Sequence, residues 1–294
     1  MSKQLRQPFR YFGSKWRLVP KIDAYAPPAE AIDVFLDLCA GSGSMTIRRE
    51  RTYMEVLNDT DREVANALRV LREPALAQEL ARLLALTPYS RAEYNYVRDA
   101  LAHQDRPPSP VERARQFFIY QNMSISGGRT RSGEGWRASI NPHGRYRLPA
   151  HAWARLPDVV LDVAERLRGV YVEQMDVLDF IAKYSQSSRV YRYFDPVYLP
   201  TTRNKKDRYS QDITGEWGLG KHRAVAEALQ ATPGYTIVSH YDCDEYRDLY
   251  PGWPVVHLAA TANGAGKRVE AIYIDPELGA LHGLQPHSTK TLED

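Results

Sequence analysis

From Ala31 to Ser44 the apolar run Val34-Phe35-Leu36 leads into Asp37 and then into Ala40-Gly41-Ser42-Gly43. A short continuous apolar run closed by glycines predicts a buried strand ending in a tight turn. Tyr53-Met54-Glu55-Val56-Leu57 predicts a second short strand that stops at Asn58-Asp59, and Glu63 to Arg72 repeats its apolar residues at helical spacing. From Pro74 to about Arg168 the pattern changes, with helical spacing over Leu76 to Leu86 and Val111 to Asn122 around a strand-poor stretch. The sheet pattern returns with Gly169 to Val172, Arg189 to Phe194 and Tyr235 to Ser239, separated by helical segments at Val177 to Lys183 and His222 to Gln230, and Val269 to Ile274 predicts the last strand. Strands alternating with helices predict an open, mostly parallel sheet whose ligands lie beyond the carboxyl ends of its strands. The expected organisation is one α/β domain built from residues 1–73 and 169–280, an inserted, mainly helical domain over 74–168, and a weakly ordered tail over 281–294.

Composition narrows the class. A chain of 294 residues, 43% of them hydrophobic, suffices for one large α/β domain with a smaller insertion. No apolar run approaches the roughly 18 residues that cross a bilayer, and the first residues lack the apolar stretch of a secretion signal, so a cytoplasmic protein without a membrane partner is expected. Cys39 and Cys243 provide neither a disulfide framework nor a cysteine-based zinc site and are expected as buried thiols. His103, His143, His151, His222, His240 and His257 show no ligand spacing, so no metal is expected. A net charge of +3 does not by itself indicate nucleic acid, and the placement of the basic residues matters more.

Three constellations carry chemistry. In the first, Asp37 and the glycine turn follow one strand and Asp59 ends the next. Glycines let the backbone approach a ligand closely, and a carboxylate at the end of the second strand can accept both hydroxyls of a ribose. A dinucleotide cofactor would need a third glycine after Gly43, which is missing. S-adenosylmethionine, with a cationic sulfonium and no phosphate, suits the acidic strand end better. A plain strand-to-helix connection accounts for the same residues without a ligand.

The second is Tyr193-Phe194-Asp195-Pro196-Val197-Tyr198. An adenine amino group is a poor nucleophile because its lone pair is delocalised into the ring. Two acceptors on its hydrogens, the Asp195 carboxylate and the Pro196 carbonyl, favour the tetrahedral nitrogen that attacks a methyl group, and the Tyr198 ring can stack on the base, a contact worth about 1–3 kcal/mol. Asp-Pro is also common in ordinary strand-ending turns.

The third is basic. Between Gly127 and Arg155 stand Arg129, Arg131, Arg137, Arg145, Arg147 and Arg155 against Glu134, with Trp136, Tyr146 and Trp153 among them. Arginines neutralise phosphates and contact guanine in two places, and aromatic rings stack where a base is displaced. A solvated loop has the same composition. Arg203, Lys205, Lys206 and Arg208 follow the Asp195 motif directly.

Read together in this order, the segments resemble the class D12, Dam-like family of DNA adenine N6-methyltransferases. Tyr11-Phe12-Gly13-Ser14-Lys15-Trp16-Arg17 resembles the family's N-terminal cofactor motif, which implies that Tyr11, Phe12, Gly13 and Lys15 meet the methionine end of S-adenosylmethionine. Phe35 to Ser44 resembles the strand and turn around methionine and ribose, implying roles for Asp37, Ala40, Gly41 and Gly43; Asn58-Asp59 resembles the ribose-binding acid. Asp176 in Gln174-Met175-Asp176 stands where the family has an aspartate for the cofactor's adenine amino group. Asp195 to Tyr198 resembles the catalytic Asp-Pro-Pro-Tyr, with Asp195, Pro196 and Tyr198 kept and Val197 in place of the second proline. The resemblance covers residues 9 to 275 or so.

It implies a Rossmann-like S-adenosylmethionine-dependent methyltransferase fold carrying an inserted target-recognition domain over 74–168. It further implies methyl transfer to N6 of an adenine flipped out of double-stranded DNA, with Arg129, Arg131, Arg137, Arg145, Arg147, Arg203, Lys205 and Lys206 on the DNA. Valine at 197 loosens the turn and adds an N–H near the target amine. Because the acceptors and the ring are retained, activity is expected. Two other readings stand beside this one: a catalytically impaired DNA-binding relative and an RNA adenine methyltransferase.

Overall fold

A computed structural model describes residues 5–103, 106–125, 135–138, 148–199, 217–261, 267–286 and 288–292. In chain order these residues form α1 (Val19–Asp23), β1 (Val34–Asp37), α2 (Ser44–Arg48), β2 (Met54–Asn58), α3 (Arg62–Arg72), α4 (Pro74–Leu86), α5 (Arg91–Ala102), α6 (Pro110–Met123), α7 (Pro149–Ala154) and α8 (Leu156–Leu167). There follow β3 (Tyr171–Glu173), α9 (Val177–Tyr184), β4 (Val190–Phe194), α10 (Leu219–Ala231), β5 (Tyr235–His240), α11 (Asp244–Leu249), β6 (Val255–Thr261), β7 (Lys267–Ile274), α12 (Pro276–Leu281) and β8 (Thr289–Leu292). The chain divides into two compact units, one drawing its described residues from Met1–Ser14 and Asp61–Val172, the other from Lys15–Thr60, Glu173–Asp207 and Gln211–Asp294.

The first unit is helical. Its helices start where the sequence supplies caps: the Asp61, Ser90 and Ser109 side chains accept the N–H groups of Glu63, Glu93 and Glu112, satisfying donors that a helix start leaves open. Pro74 and Pro110 occupy first-turn positions, where a missing N–H costs nothing. The centre is α6, whose Phe118 and Ile119 are fully buried, with α3, α4 and α5 packed against it and α8 against α3 and α4. This explains why the compact helical unit takes in α3, whereas the sequence pattern drew the boundary at Pro74: Val64, Leu68 and Leu71 are completely buried, and α3 packs against both α6 and α8.

The second unit carries the sheet, in the order β3-β2-β1-β4-β5-β7-β6-β8. Pairs β1–β2, β1–β4 and β4–β5 are parallel, whereas β7 runs antiparallel to both β5 and β6. Phe35, Leu36, Val56, Leu57, Ile237 and Val238 are completely buried, as befits central strands covered on both faces. Strand order reverses between β1 and β4. Their register pairs Asp37 with Tyr193, so Asp195 begins two residues beyond Asp37's partner at the same edge. A crevice at such a reversal is where open α/β sheets hold ligands.

Three expectations need correction. The tail expected over 281–294 contains a strand, because Thr289–Leu292 forms β8 along β6. Val269 to Ile274 is not the last strand, and β6 before it went unpredicted: β6 dilutes its apolar residues with Ala-Ala-Thr, and Thr-Lys-Thr-Leu of β8 is an edge strand held by backbone pairing. Cys39 and Cys243 are free thiols, half-buried rather than buried. Among the described residues, no helix is long and apolar enough to cross a membrane.

Candidate active site

The turn after β1 is built by its glycines and fastened from β2. Gly41 and Gly43 take φ of 50° and 67°, the left-handed region that a Cβ disfavours, and Gly43 caps α2. Ala40 N–H donates to Asn58 O at 2.8 Å, Gly43 N–H to Ala40 O at 2.7 Å and Gly41 N–H to Asp59 Oδ2 at 2.8 Å. Asp59, buried at the end of β2, therefore holds the turn of the neighbouring strand. Asn58 makes a second tie, donating to Leu38 O at 3.2 Å and Met175 O at 3.1 Å while its Oδ1 accepts Met175 N–H at 2.9 Å.

Asp37 is buried with the Thr46 hydroxyl 3.5 Å from its Oδ2. Burial, reinforced by the charges of Asp195 and Asp59, pushes its carboxyl up to about 8. Asp176 caps α9 by accepting Leu178 N–H at 2.8 Å and meets Lys221 Nζ at 2.5 Å. Burial pushes this carboxyl up, but Lys221 and the Leu178 N–H outweigh it and hold it below the usual carboxylate range.

Beyond β4 the Asp195 motif forms a compact polar cluster. Lys15 Nζ lies 2.9 Å from both Asp195 oxygens and 3.3 Å from Glu270 Oε1. The Tyr198 hydroxyl is 3.1 Å from Asp195 Oδ1 and hydrogen-bonds Glu270 Oε1 as well. Burial raises the Asp195 carboxyl to about 6; Lys15 opposes the rise and the Glu270 charge adds to it. The Tyr198 ring packs edge-on against His240 and Tyr241, with centroids 5.1 and 4.9 Å away.

Behind the motif, His222 Nε2 donates to Val197 O at 3.1 Å, and Leu199 N–H donates to Tyr246 Oη at 2.8 Å. The loop is thus braced from α10 and α11 on either side of Tyr198. His240 stacks on Tyr246 at 3.6 Å, and burial holds its imidazole well below the usual histidine range, so it is neutral.

The sheet unit therefore brings together Lys15, Asp37, Ala40, Gly41, Gly43, Asp59, Asp195, Pro196 and Tyr198 around the carboxyl ends of β1, β2 and β4, with Asp176 at the start of α9. Tyr11, Phe12 and Gly13 belong to the helical unit, in a turn where Ser14 N–H donates to Tyr11 O at 3.2 Å and Gly13 has φ 77°. Sequence reasoning missed Glu270, His222 and Tyr246. Glu270 is a lone acid in a strand read as apolar, and its neighbour Val269 is half exposed while Glu270 is 8% exposed, the reverse of what hydropathy predicts.

In the helical unit, residues 135–137 run back along 123–125: Ser124 and Trp136 form an antiparallel bridge and Arg137 N–H donates to Met123 O at 2.6 Å. Arg137 O accepts the Tyr89 hydroxyl at 2.7 Å. Arg137 lines a cleft of about 270 Å³ together with Arg6, Arg10, Arg155, Tyr89 and Trp153. Arg10 is partly committed there, since its guanidinium donates to Ser124 O at 2.8 Å and Ile125 O at 3.0 Å. Arg129, Arg131, Arg145, Arg147, Arg203, Lys205 and Lys206 lie outside the described residues. Among the described residues no group of three or more metal-ligating side chains occurs.

A family model described as D12 class N6 adenine-specific DNA methyltransferase matches residues 11–263 of the chain. No curated protein matches it.

Proposed function

We propose a residue-level mechanism from one premise: the chain belongs to the D12 class N6 adenine-specific DNA methyltransferase family and methylates adenine N6 in DNA. S-adenosylmethionine, when bound, supplies an electrophilic methyl on a cationic sulfur. The acidic set fits such a cation, because Asp59, Asp195 and Glu270 outnumber Lys15 on the carboxyl side of β1, β2 and β4, and a bound cation would lower the raised carboxyl of Asp37 as well. In this reading Asp37, with the backbone of Ala40, Gly41 and Gly43, receives the methionine end, Asp59 the ribose and Asp176 the adenine of the cofactor. Tyr11, Phe12, Gly13 and Lys15 complete the methionine side.

Asp195 and the Pro196 carbonyl accept the two hydrogens of the target amine, and Tyr198 stacks on a base flipped out of the duplex. The protein's work is positioning and exclusion of water, and no covalent enzyme intermediate is needed. The observation that carries the reading is the acceptor-rich Asp195 loop at the β1–β4 reversal, one strand from the Asp59-fastened glycine turn. Incubation with methyl-labelled S-adenosylmethionine and unmodified duplex DNA, followed by nucleoside analysis, is expected to yield N6-methyladenine. Label in cytosine, or none at all, overturns it.

DNA recognition falls in this reading to the segment 74–168, through Arg137 and its neighbours in sequence, Arg129, Arg131, Arg145 and Arg147, with Arg203, Lys205 and Lys206 after the Asp195 motif. Arg155 joins Arg137 because both line the cleft. Arg137→Ala and Arg155→Ala are each expected to weaken duplex binding across sequences and to lower the slope of log affinity against log salt by about 1, while cofactor affinity holds. An equal loss of cofactor affinity would show a folding role instead.

Val197 is expected to be a tolerated substitute for proline. Its carbonyl, held by His222, is a group that proline keeps. Val197→Pro should leave kcat within about tenfold, or roughly 1.4 kcal/mol in the barrier. A larger change in steady-state turnover would mean that the loop differs from a proline-compatible turn.

A further inference from the structure

At Asp195 the target amine must compete with groups already there, because both carboxylate oxygens face Lys15 Nζ at 2.9 Å and the Tyr198 hydroxyl is 3.1 Å from Oδ1. An ammonium is a far stronger partner for a carboxylate than an adenine N–H. Where the amine displaces Lys15 from one of these oxygens, the buried ammonium is best kept beside a second carboxylate. Glu270, in the first half of β7, is placed to supply it. Its Oε1 is 3.3 Å from Lys15 Nζ and also accepts the Tyr198 hydroxyl. The tyrosine has one proton to give, so donating it to Glu270 removes the tyrosine as a competitor for Asp195 Oδ1.

We propose that Glu270 is a positioning residue for methyl transfer: it anchors the Tyr198 hydroxyl and takes over Lys15 when the target amine occupies Asp195. The inference rests on the reading that Asp195 accepts from that amine. The antiparallel turn of β7 makes the placement possible, since pairing of His240 with Ala271 brings the first half of β7 to the carboxyl end of β5. No proton or electron is consumed in the exchange; Lys15 passes from one carboxylate to another and the phenol keeps its proton.

The test is steady-state kinetics on the full-length protein with unmodified duplex DNA, comparing the unaltered chain, Glu270→Gln and Asp195→Asn. Glutamine can still accept from Tyr198 but cannot hold Lys15 by charge. Glu270→Gln should therefore lower kcat about ten- to a hundredfold, the usual worth of a charged hydrogen bond, with S-adenosylmethionine affinity near native.

A second readout separates positioning from mere folding. Among the described residues Lys15, Tyr198 and Glu270 face Asp195, whose own charge in turn raises the Asp37 carboxyl, the Cys39 thiol and the Tyr193 phenol. Removing the Glu270 charge relieves repulsion on Asp195, so the acid limb of the pH–rate profile should move to lower pH. Native kcat in Glu270→Gln, or lost kcat with an unmoved acid limb, overturns the inference. Should Glu270→Gln fail to fold, Glu270→Asp is read instead: its shorter reach should cut kcat while the retained charge leaves the acid limb in place, and native kcat there overturns the inference too. If Asp195→Asn remains fully active, the parent reading of Asp195 has failed. If Asp195→Asn is inactive and Glu270→Gln is native, only the role of Glu270 falls.

Discussion

Asp195→Ala is expected to reduce methyl transfer by about two to three orders of magnitude or more, the range seen when one preorganised polar partner of a reacting group is deleted. The carboxylate acts on the base, so equilibrium binding of S-adenosylmethionine should stay near native and the loss should fall on kcat. Two further signs follow from its surroundings. With its carboxyl raised to about 6 by burial, Asp195 is the acceptor only above that value, so turnover should rise through about pH 6 and level off above it. Deleting the carboxylate also removes a charge that holds Lys15, whose ion pair with Glu270 is retained. Radiolabel transfer across pH 5 to 8 or so, with cofactor binding measured alongside by calorimetry, checks both. Residual activity within tenfold of the unaltered protein would remove Asp195 from the reacting centre.

The parts of this site that the sequence made visible are those whose physics is local. A buried parallel strand reads as an unbroken apolar run, and a turn demanding positive φ reads as glycine, so β1, the Gly41–Gly43 turn and the β4 motif stood out in the sequence. Caps such as Ser109 with Glu112 are likewise written within four residues. Glu270, His222 and Tyr246 are different. Each acts on the Asp195 loop from an element far along the chain, and only the register of β7 on β5 or the face of α10 turned inward decides whether it reaches. A shift of one residue in β7 would put Val269 where Glu270 stands. The same limit hid β8, whose place rests on pairing with β6, a strand distant from it in the pattern of the chain. Asp176 shows the opposite gap: the sequence marked it for the cofactor, and the fold adds a helix cap and an ion pair with Lys221 that its residue pattern did not announce.

Asp59 offers the second large effect, and the geometry makes it a sharper test than the sequence allowed. If its carboxylate accepts the ribose hydroxyls, Asp59→Ala should weaken S-adenosylmethionine binding by about 1 to 3 kcal/mol, the cost of leaving the partners of a charged hydrogen bond unpaired. The same carboxylate, however, accepts Gly41 N–H at 2.8 Å through Oδ2, so alanine also unfastens a turn held in the left-handed region. Asp59→Asn separates the two contributions. Its amide oxygen can still accept Gly41 N–H, which keeps the turn, while the charge and one acceptor toward the ribose are lost. Asparagine should therefore fall between the unaltered protein and alanine in calorimetric affinity, with a thermal midpoint close to native. The demethylated product, S-adenosylhomocysteine, has the same ribose and should lose the same increment in each variant. Equal and unchanged affinities in both variants would place the ribose elsewhere. A loss that is equally large in both would show that the charge, and not the fastening of the turn, governs binding.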